Sequence, residues 1–185
     1  MSAYSTTRPT IYFDTTVLLD AVDRRSQSTR LMLEIIREHR IQVLASPFGI
    51  LEMIEAKKTD RWAESMLERG YTVIQISRRM GSRRTGPTAL TSDDLAEVYT
   101  AIREALTGEL DFVGFPAPTP GLMNRAEDIC AATTLAAADS LHLATALYFG
   151  CQILVSSDSD LIRTARLYIH ATPPAGFHNA ITDLL

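Results

Sequence analysis

Five short apolar runs, set among stretches of helical length and pattern, constrain this chain more than any other feature. "TIYF" (10–13), "IQVLA" (41–45), "YTVIQI" (71–76), "CQILV" (151–155) and "LYIHA" (167–171) have the length and side chains of strands. "TTVLLDAVDRR" sets Val17, Leu18, Ala21 and Val22 on one helical face, and "LMLEIIREHR" (31–40) is a clearer helix. Ser46 and Pro47 supply an N-cap and a first-turn proline for a helix through "FGILEMIEAKK", which continues through "DRWAESMLER" to Gly70. "TSDDLAEVYTAIREAL" (91–106) begins with cap residues, carries a stripe of Leu95, Val98, Ile102, Ala105 and Leu106, and stops at Gly108. "NRAEDICAATTLA", "ADSLHLATALYFG" and "SDLIRTARL" read as further helices. "SRRMGSRRTGP" reads as a polar, basic loop, and "FPAPTPG" (115–121) as an irregular connection. Strands alternating with helices predict an α/β fold, a mostly parallel sheet of four to five strands covered on both faces, with the last strand at an edge. A length of 185 residues suits one domain spanning 1–185, with 77–124 as its longer, less regular part.

In such sheets function collects at the carboxyl ends of the strands, and acids recur there. Asp14 follows the first strand. Glu52 lies near the start of the helix after the second. Asp139 begins the helix before the "CQILV" strand, and Asp158 and Asp160 follow that strand in "ILVSSDSDL". Each acid has an ordinary explanation: Asp14, Asp139 and Asp158 as helix caps, Glu52 as a solvated helix residue. Together they raise another. Carboxylates sharing a small volume repel one another, and a divalent cation removes that penalty. A set of oxygens without Cys or His suits Mg²⁺ or Mn²⁺. His142, one turn after Asp139, is within reach of the group, although a satisfied or exposed histidine is the commoner case.

Composition narrows the rest. The formal net charge of −4 argues against a protein that holds nucleic acid by bulk electrostatics, but not against an enzyme whose acids are neutralised by metal. No apolar run approaches the roughly 18 residues of a membrane span, and "MSAYSTTRP" lacks the apolar segment of a signal peptide, so a cytoplasmic protein with no membrane partner is expected. Cys130 and Cys151 sit among apolar residues without metal-ligand spacing and read as buried thiols. No glycine-rich phosphate loop and no Gly-x-Ser-x-Gly elbow is present, which leaves P-loop NTPases and α/β-hydrolases unsupported.

Four segments in order resemble those of PIN-domain nucleases: "IYFDTTVLLD", "SPFGILEMI", "AADSLHLATAL" and "ILVSSDSDL", spanning residues 11–161. The resemblance implies a three-layer α/β/α sandwich and a metal-dependent ribonuclease with an acidic pocket. Asp14, Glu52, Asp139 and Asp158 match the family's four acidic positions. Asp160 matches one that is often acidic, and Ser156 the hydroxyl that supports the pocket. Thr16 stands where the family often has Asn. The wording of the segments is most similar to VapC-type toxins of toxin–antitoxin pairs, which implies an antitoxin partner and a tendency to dimerise. The chain is longer than a compact toxin of that type, with the excess falling in 77–124, so an RNA-processing nuclease that is not a toxin stays open.

On this reading Asp14, Asp139, Asp158 and Asp160 are the candidate metal ligands, with Asp14 and Asp158 direct and Asp139 shared or second. Glu52 is a ligand or holds the attacking water, and Thr16 and Ser156 support the site. Cleavage of an RNA phosphodiester would leave a 5′-phosphate and a 3′-hydroxyl, with Mg²⁺ or Mn²⁺ as cofactor. Arg78, Arg79, Arg83 and Arg84 are candidate phosphate contacts, the alternative being a solvated loop. Two competitors remain. One is a noncatalytic interaction module that keeps the fold and uses the acids as caps. The other is an acid-pocket phosphatase or phosphoacceptor, which usually wants a Lys near the phosphate. Lys57 and Lys58 lie beyond Glu52 and are poorly placed for that role.

Overall fold

The computed structural model describes residues 8–81, 90–182 and 184–185. Its elements are β1 (Thr10–Phe13), α1 (Thr15–Asp23), α2 (Gln27–His39), β2 (Gln42–Ala45), α3 (Pro47–Glu68), α4 (Val73–Gly81) and α5 (Ser92–Thr107), followed by β3 (Val113–Gly114), α6 (Pro120–Ala132), α7 (Ala137–Tyr148), β4 (Ile153–Val155), α8 (Ser159–Ala165), β5 (His170–Thr172) and α9 (Phe177–Thr182). The five strands form one sheet in the order β3-β2-β1-β4-β5, and every neighbouring pair is parallel. Among the described residues no helix is long and apolar enough to cross a membrane.

The strands are buried on both faces, and the two-residue period of a strand divides their side chains between two cores. Ile11, Phe13, Val43, Ala45, Ile153 and Val155 face one layer, where α1, α2, α3, α5 and α9 contribute Val17, Leu18, Met32, Ile36, Met53, Val98, Ile102 and Phe177. Tyr12 and Leu154 face the other, against Leu122 and Ile129 of α6, Leu143 and Ala144 of α7, and Leu161 and Ala165 of α8. This is the expected three-layer sandwich. Because β1 lies between β2 and β4 in an all-parallel sheet, the chain leaves it in opposite directions along the sheet. The crevice that forms at such a reversal opens beyond the strands' carboxyl ends. Asp14, Ser46 and Ser156 are the first residues past β1, β2 and β4.

Local chemistry explains most boundaries. Ser46 caps α3 by accepting from the Phe48 amide, with Pro47 in the first turn. Thr91 and Asp94 close a reciprocal capping box on α5. The stretch 71–76 is corrected from strand to helix, since α4 begins at Val73. Thr72 and Gln75 exchange side chain and backbone bonds at its start, a Thr-x-x-Gln capping pair. Only Ile76 of the apparent strand is buried, against Trp62 and Met66 of α3, while Val73 and Ile74 are exposed. The strand that completes the sheet is Val113–Gly114, too short to show any period. The proline-rich 115–121 is also only partly irregular: Thr119 caps α6, with Pro120 at its first turn.

Candidate active site

Asp14 occupies the N-cap position of α1 but does not cap it. Its buried carboxylate points at hydroxyls instead. Thr16 Oγ1 and Ser156 Oγ each donate to Asp14 Oδ2 at 2.7 Å. The backbone amide of Asp14 is tied to the Val155 carbonyl at 3.0 Å, so the end of β4 fixes its position. The Ser156 hydroxyl also accepts from the Asp158 amide at 2.9 Å, and Thr16 Oγ1 accepts from the Ser157 amide at 2.9 Å. Two hydroxyls thus lace the turn after β1 to the turn after β4.

Glu52 stands about a turn and a half into α3, half-buried. Its Oε2 accepts from Thr15 Oγ1 at 2.6 Å and from His142 Nε2 at 2.7 Å. His142 Nε2 also lies 3.6 Å from Asp14 Oδ1. Burial pushes the Glu52 carboxyl up, but the bonds from His142 and Thr15 outweigh it and hold the group below its usual range. For His142, burial works against the charged form, and the bond to Glu52 with the charges of Asp14, Glu52 and Asp139 outweighs that and raises its pKa.

Asp139 is in the first turn of α7, whose N-cap is Ala136, so it caps nothing by its side chain. Burial, then the charges of Asp14 and Asp158, raise its carboxyl, with Glu52 adding to the effect and His142 opposing it. Asp158 does cap: its Oδ1 accepts from the amides of Asp160 and Leu161 at the start of α8. The charges of Asp14, Asp158 and Glu52 thus all act on Asp139. Asp160 is exposed on α8 and ion-paired with Arg163 at 2.8 Å.

Among the described residues no three Asp, Glu, His or Cys side chains are gathered closely enough to grip a metal ion. The donor set nonetheless suits a hard divalent cation. The acids offer oxygens, and Asp139 carries the crowding penalty that such a cation relieves.

Three residues near the acids escaped the sequence reading. Thr15 follows Asp14 directly and donates to Glu52. Tyr12 reaches from β1 to His142 Nδ1 at 2.7 Å. Asp20, one helical turn beyond Thr16, accepts from Ser157 Oγ at 3.3 Å. The last has a readable signal, an acid at i+4 on the helix that follows the strand.

Arg78 and Arg79 were expected on an irregular loop but occupy the last turn of α4. The Arg79 guanidinium sits 4.4 Å from the centre of the Tyr71 ring. Ile76 of the same helix packs on Trp62 and Met66 of α3, which stand ten and fourteen residues along α3 from Glu52. Arg83 and Arg84 lie outside the described residues.

The sequence pattern of the PIN domain matches residues 11–167, and the chain belongs to that family, whose members are generally nucleases. Solved structures agree on the fold. VapBC2 from Rickettsia felis, crystallised bound to a DNA fragment from its promoter, superposes with a TM-score of 0.55 at 9% identity, covering 89% of this chain and 98% of that one. PAE2754 from Pyrobaculum aerophilum gives 0.56 at 13% identity, covering 97% and 98%. No curated protein matches the sequence significantly.

Proposed function

We propose that this chain is a Mg²⁺- or Mn²⁺-dependent endoribonuclease, the toxin of a toxin–antitoxin pair. The observation that carries the nuclease reading is Asp14. A carboxylate at a helix start, buried and turned away from the cap it would ordinarily make, is held by Thr16 and Ser156 in a group of acids. The crowding among these acids, felt at Asp139, is what a divalent cation relieves. Family membership and the likeness to a VapBC structure support the same reading.

In this account Asp14, Asp139 and Asp158 hold the metal. Asp160 is a peripheral ligand at most, because it is exposed and paired with Arg163. Bound Mg²⁺ or Mn²⁺ supplies an activated water and neutralises charge on the phosphate and the leaving oxygen. The chain's own residues do the rest. Ser156 and Thr16 fix the Asp14 carboxylate through one oxygen. Glu52, held by Thr15 and His142 through Oε2, keeps Oε1 as an acceptor for a water proton. Arg78, Arg79, Arg83 and Arg84 meet the RNA backbone or an acidic segment of a partner. A small antitoxin holds the enzyme inactive in the cytoplasm, and two copies of the chain associate. The whole chain of 1–185 acts as one PIN-like domain, with 77–124 shaping target choice.

The test is cleavage of single-stranded RNA by the purified chain with Mg²⁺ or Mn²⁺, repeated with EDTA, beside a calorimetric Mn²⁺ titration. Saturable binding and EDTA-sensitive cleavage are expected. A chain that neither binds Mn²⁺ saturably nor cleaves RNA is a noncatalytic module.

A further inference from the structure

Glu52 sits on a helix surface where its own backbone does nothing to fix its side chain, and a free Glu loses up to about 2 kcal/mol of rotamer freedom on being ordered. What holds it begins two elements away. The Ser46 amide, at the junction of β2 and α3, donates to the Tyr12 hydroxyl at 3.0 Å. A backbone amide can only donate, so it occupies a lone pair of that oxygen. Tyr12 is fully buried, and its phenol has one hydrogen of its own to give. That proton has an acceptor 2.7 Å away at His142 Nδ1. With Nδ1 accepting, the neutral imidazole carries its hydrogen on Nε2, which faces Glu52 Oε2 at 2.7 Å; the imidazolium has a hydrogen on both nitrogens, so the relay belongs to the neutral form.

The glycine in the first turn of α3 is an independent sign that this line is built. Gly inside a helix costs about 1 kcal/mol relative to Ala. A Cβ on Gly49 would stand 3.0 Å from Thr15 Oγ1 and 3.7 Å from His142 Cε1, the two groups that hold Glu52. Absence of a side chain leaves them their places.

We propose that His142 is a positioning residue for the hydrolysis: it takes its hydrogen-bond polarity from the Ser46 amide through Tyr12 and uses it to fix one oxygen of Glu52, leaving the other for the reaction. The proposal rests on the nuclease reading for its consequence, but the relay is measurable without activity.

The experiment is a double-mutant cycle read together with nitrogen NMR of the imidazole. His142→Ala should lower kcat for RNA about 10–100-fold, the usual scale for residues that orient a catalytic group, with KM little changed. His142→Gln, which keeps an N–H donor near the Nε2 position, should recover part of that loss. In a Glu52→Gln background His142→Ala should cost less than a further twofold, because the two residues act as one unit. In metal-free wild-type protein in alkaline buffer, the imidazole nitrogens should report the Nε2–H tautomer, and Tyr12→Phe, which keeps the ring's volume, should weaken that preference. Independent, multiplicative losses or an Nδ1–H tautomer would overturn the relay. A wild-type chain that cleaves no RNA would overturn the nuclease reading, and the tautomer would still decide whether the relay exists.

Discussion

Ser156 donates its hydroxyl to Asp14 Oδ2 at 2.7 Å, joining the first residues past two adjacent parallel strands. Ser156 Oγ also accepts from the Asp158 amide, so one side chain of two heavy atoms holds two of the four acids in register. Replacing it isolates that contribution. Ser156→Ala should leave the fold intact while removing both bonds, at about 1–3 kcal/mol for buried polar groups left unpaired. Cleavage should fall about 10–100-fold. Thermal unfolding and RNA cleavage measured on the same preparation check this, and full activity would show that Asp14 needs no support.

Asp139 makes a prediction about stability without metal. Its folded pKa is raised, by burial first and the neighbouring acids next. A raised carboxyl binds its proton more tightly when folded, so its favourable contribution exists at acid pH and is lost as pH rises through the folded value. At neutral pH the ionised group therefore opposes folding. In EDTA, Asp139→Asn should raise the melting temperature by about 1–3 °C. The gain should shrink as pH falls toward about 4, where the unfolded carboxyl takes up its proton as well. A variant less stable than wild type at neutral pH would contradict the crowding on which the metal reading rests.

The sequence led to an expectation of two buried thiols, but only Cys151 is buried, so the two should separate cleanly. Cys151 is buried and its pKa is pushed up to about 12, while Cys130 is exposed. Alkylation proceeds through the thiolate. Iodoacetamide at mildly alkaline pH should therefore add one group to the native protein, at Cys130, and two in denaturant. Mass spectrometry of the digested protein reads this directly. Rapid native labelling of Cys151 would show that the core beside β4 opens.

The arginine reading gives a binding prediction. Changing Arg78, Arg79, Arg83 and Arg84 together to Ala should weaken RNA binding and flatten its salt dependence, as fewer counterions are released. Mn²⁺ affinity should stay the same, since Arg78 and Arg79 are on α4 and the acids of the site are on other elements. Unchanged RNA affinity and salt slope would leave these residues as a solvated surface.

The central strands and the acids at their ends were legible because both carry strong local patterns. The runs at β1, β2 and β4 are buried on two faces, and each ends in a small or acidic residue that the crevice uses. The failure at 71–76 came from reading β-branched residues as strand where a Thr-x-x-Gln cap and one buried Ile76 make a helix. β3 was invisible because two residues hold no period, and only pairing with β2 defines them. Capping was a fair expectation for Asp14, Asp139 and Asp158, yet only Asp158 does it with its side chain. The Tyr12–His142–Glu52 line could not be read, because its members are 130 and 90 residues apart and meet only through the sheet's topology.

Asp14→Asn is the most direct measurement of the central claim. The substitution keeps the shape of the side chain and an acceptor for the hydroxyls of Thr16 and Ser156, but removes the charge that the site was built to hold. With Mg²⁺ or Mn²⁺ in excess, wild type should cleave single-stranded RNA. The folded variant should be inactive to within background and should have lost saturable Mn²⁺ binding. Equal cleavage by the two proteins would place the activity in a contaminant and contradict the account.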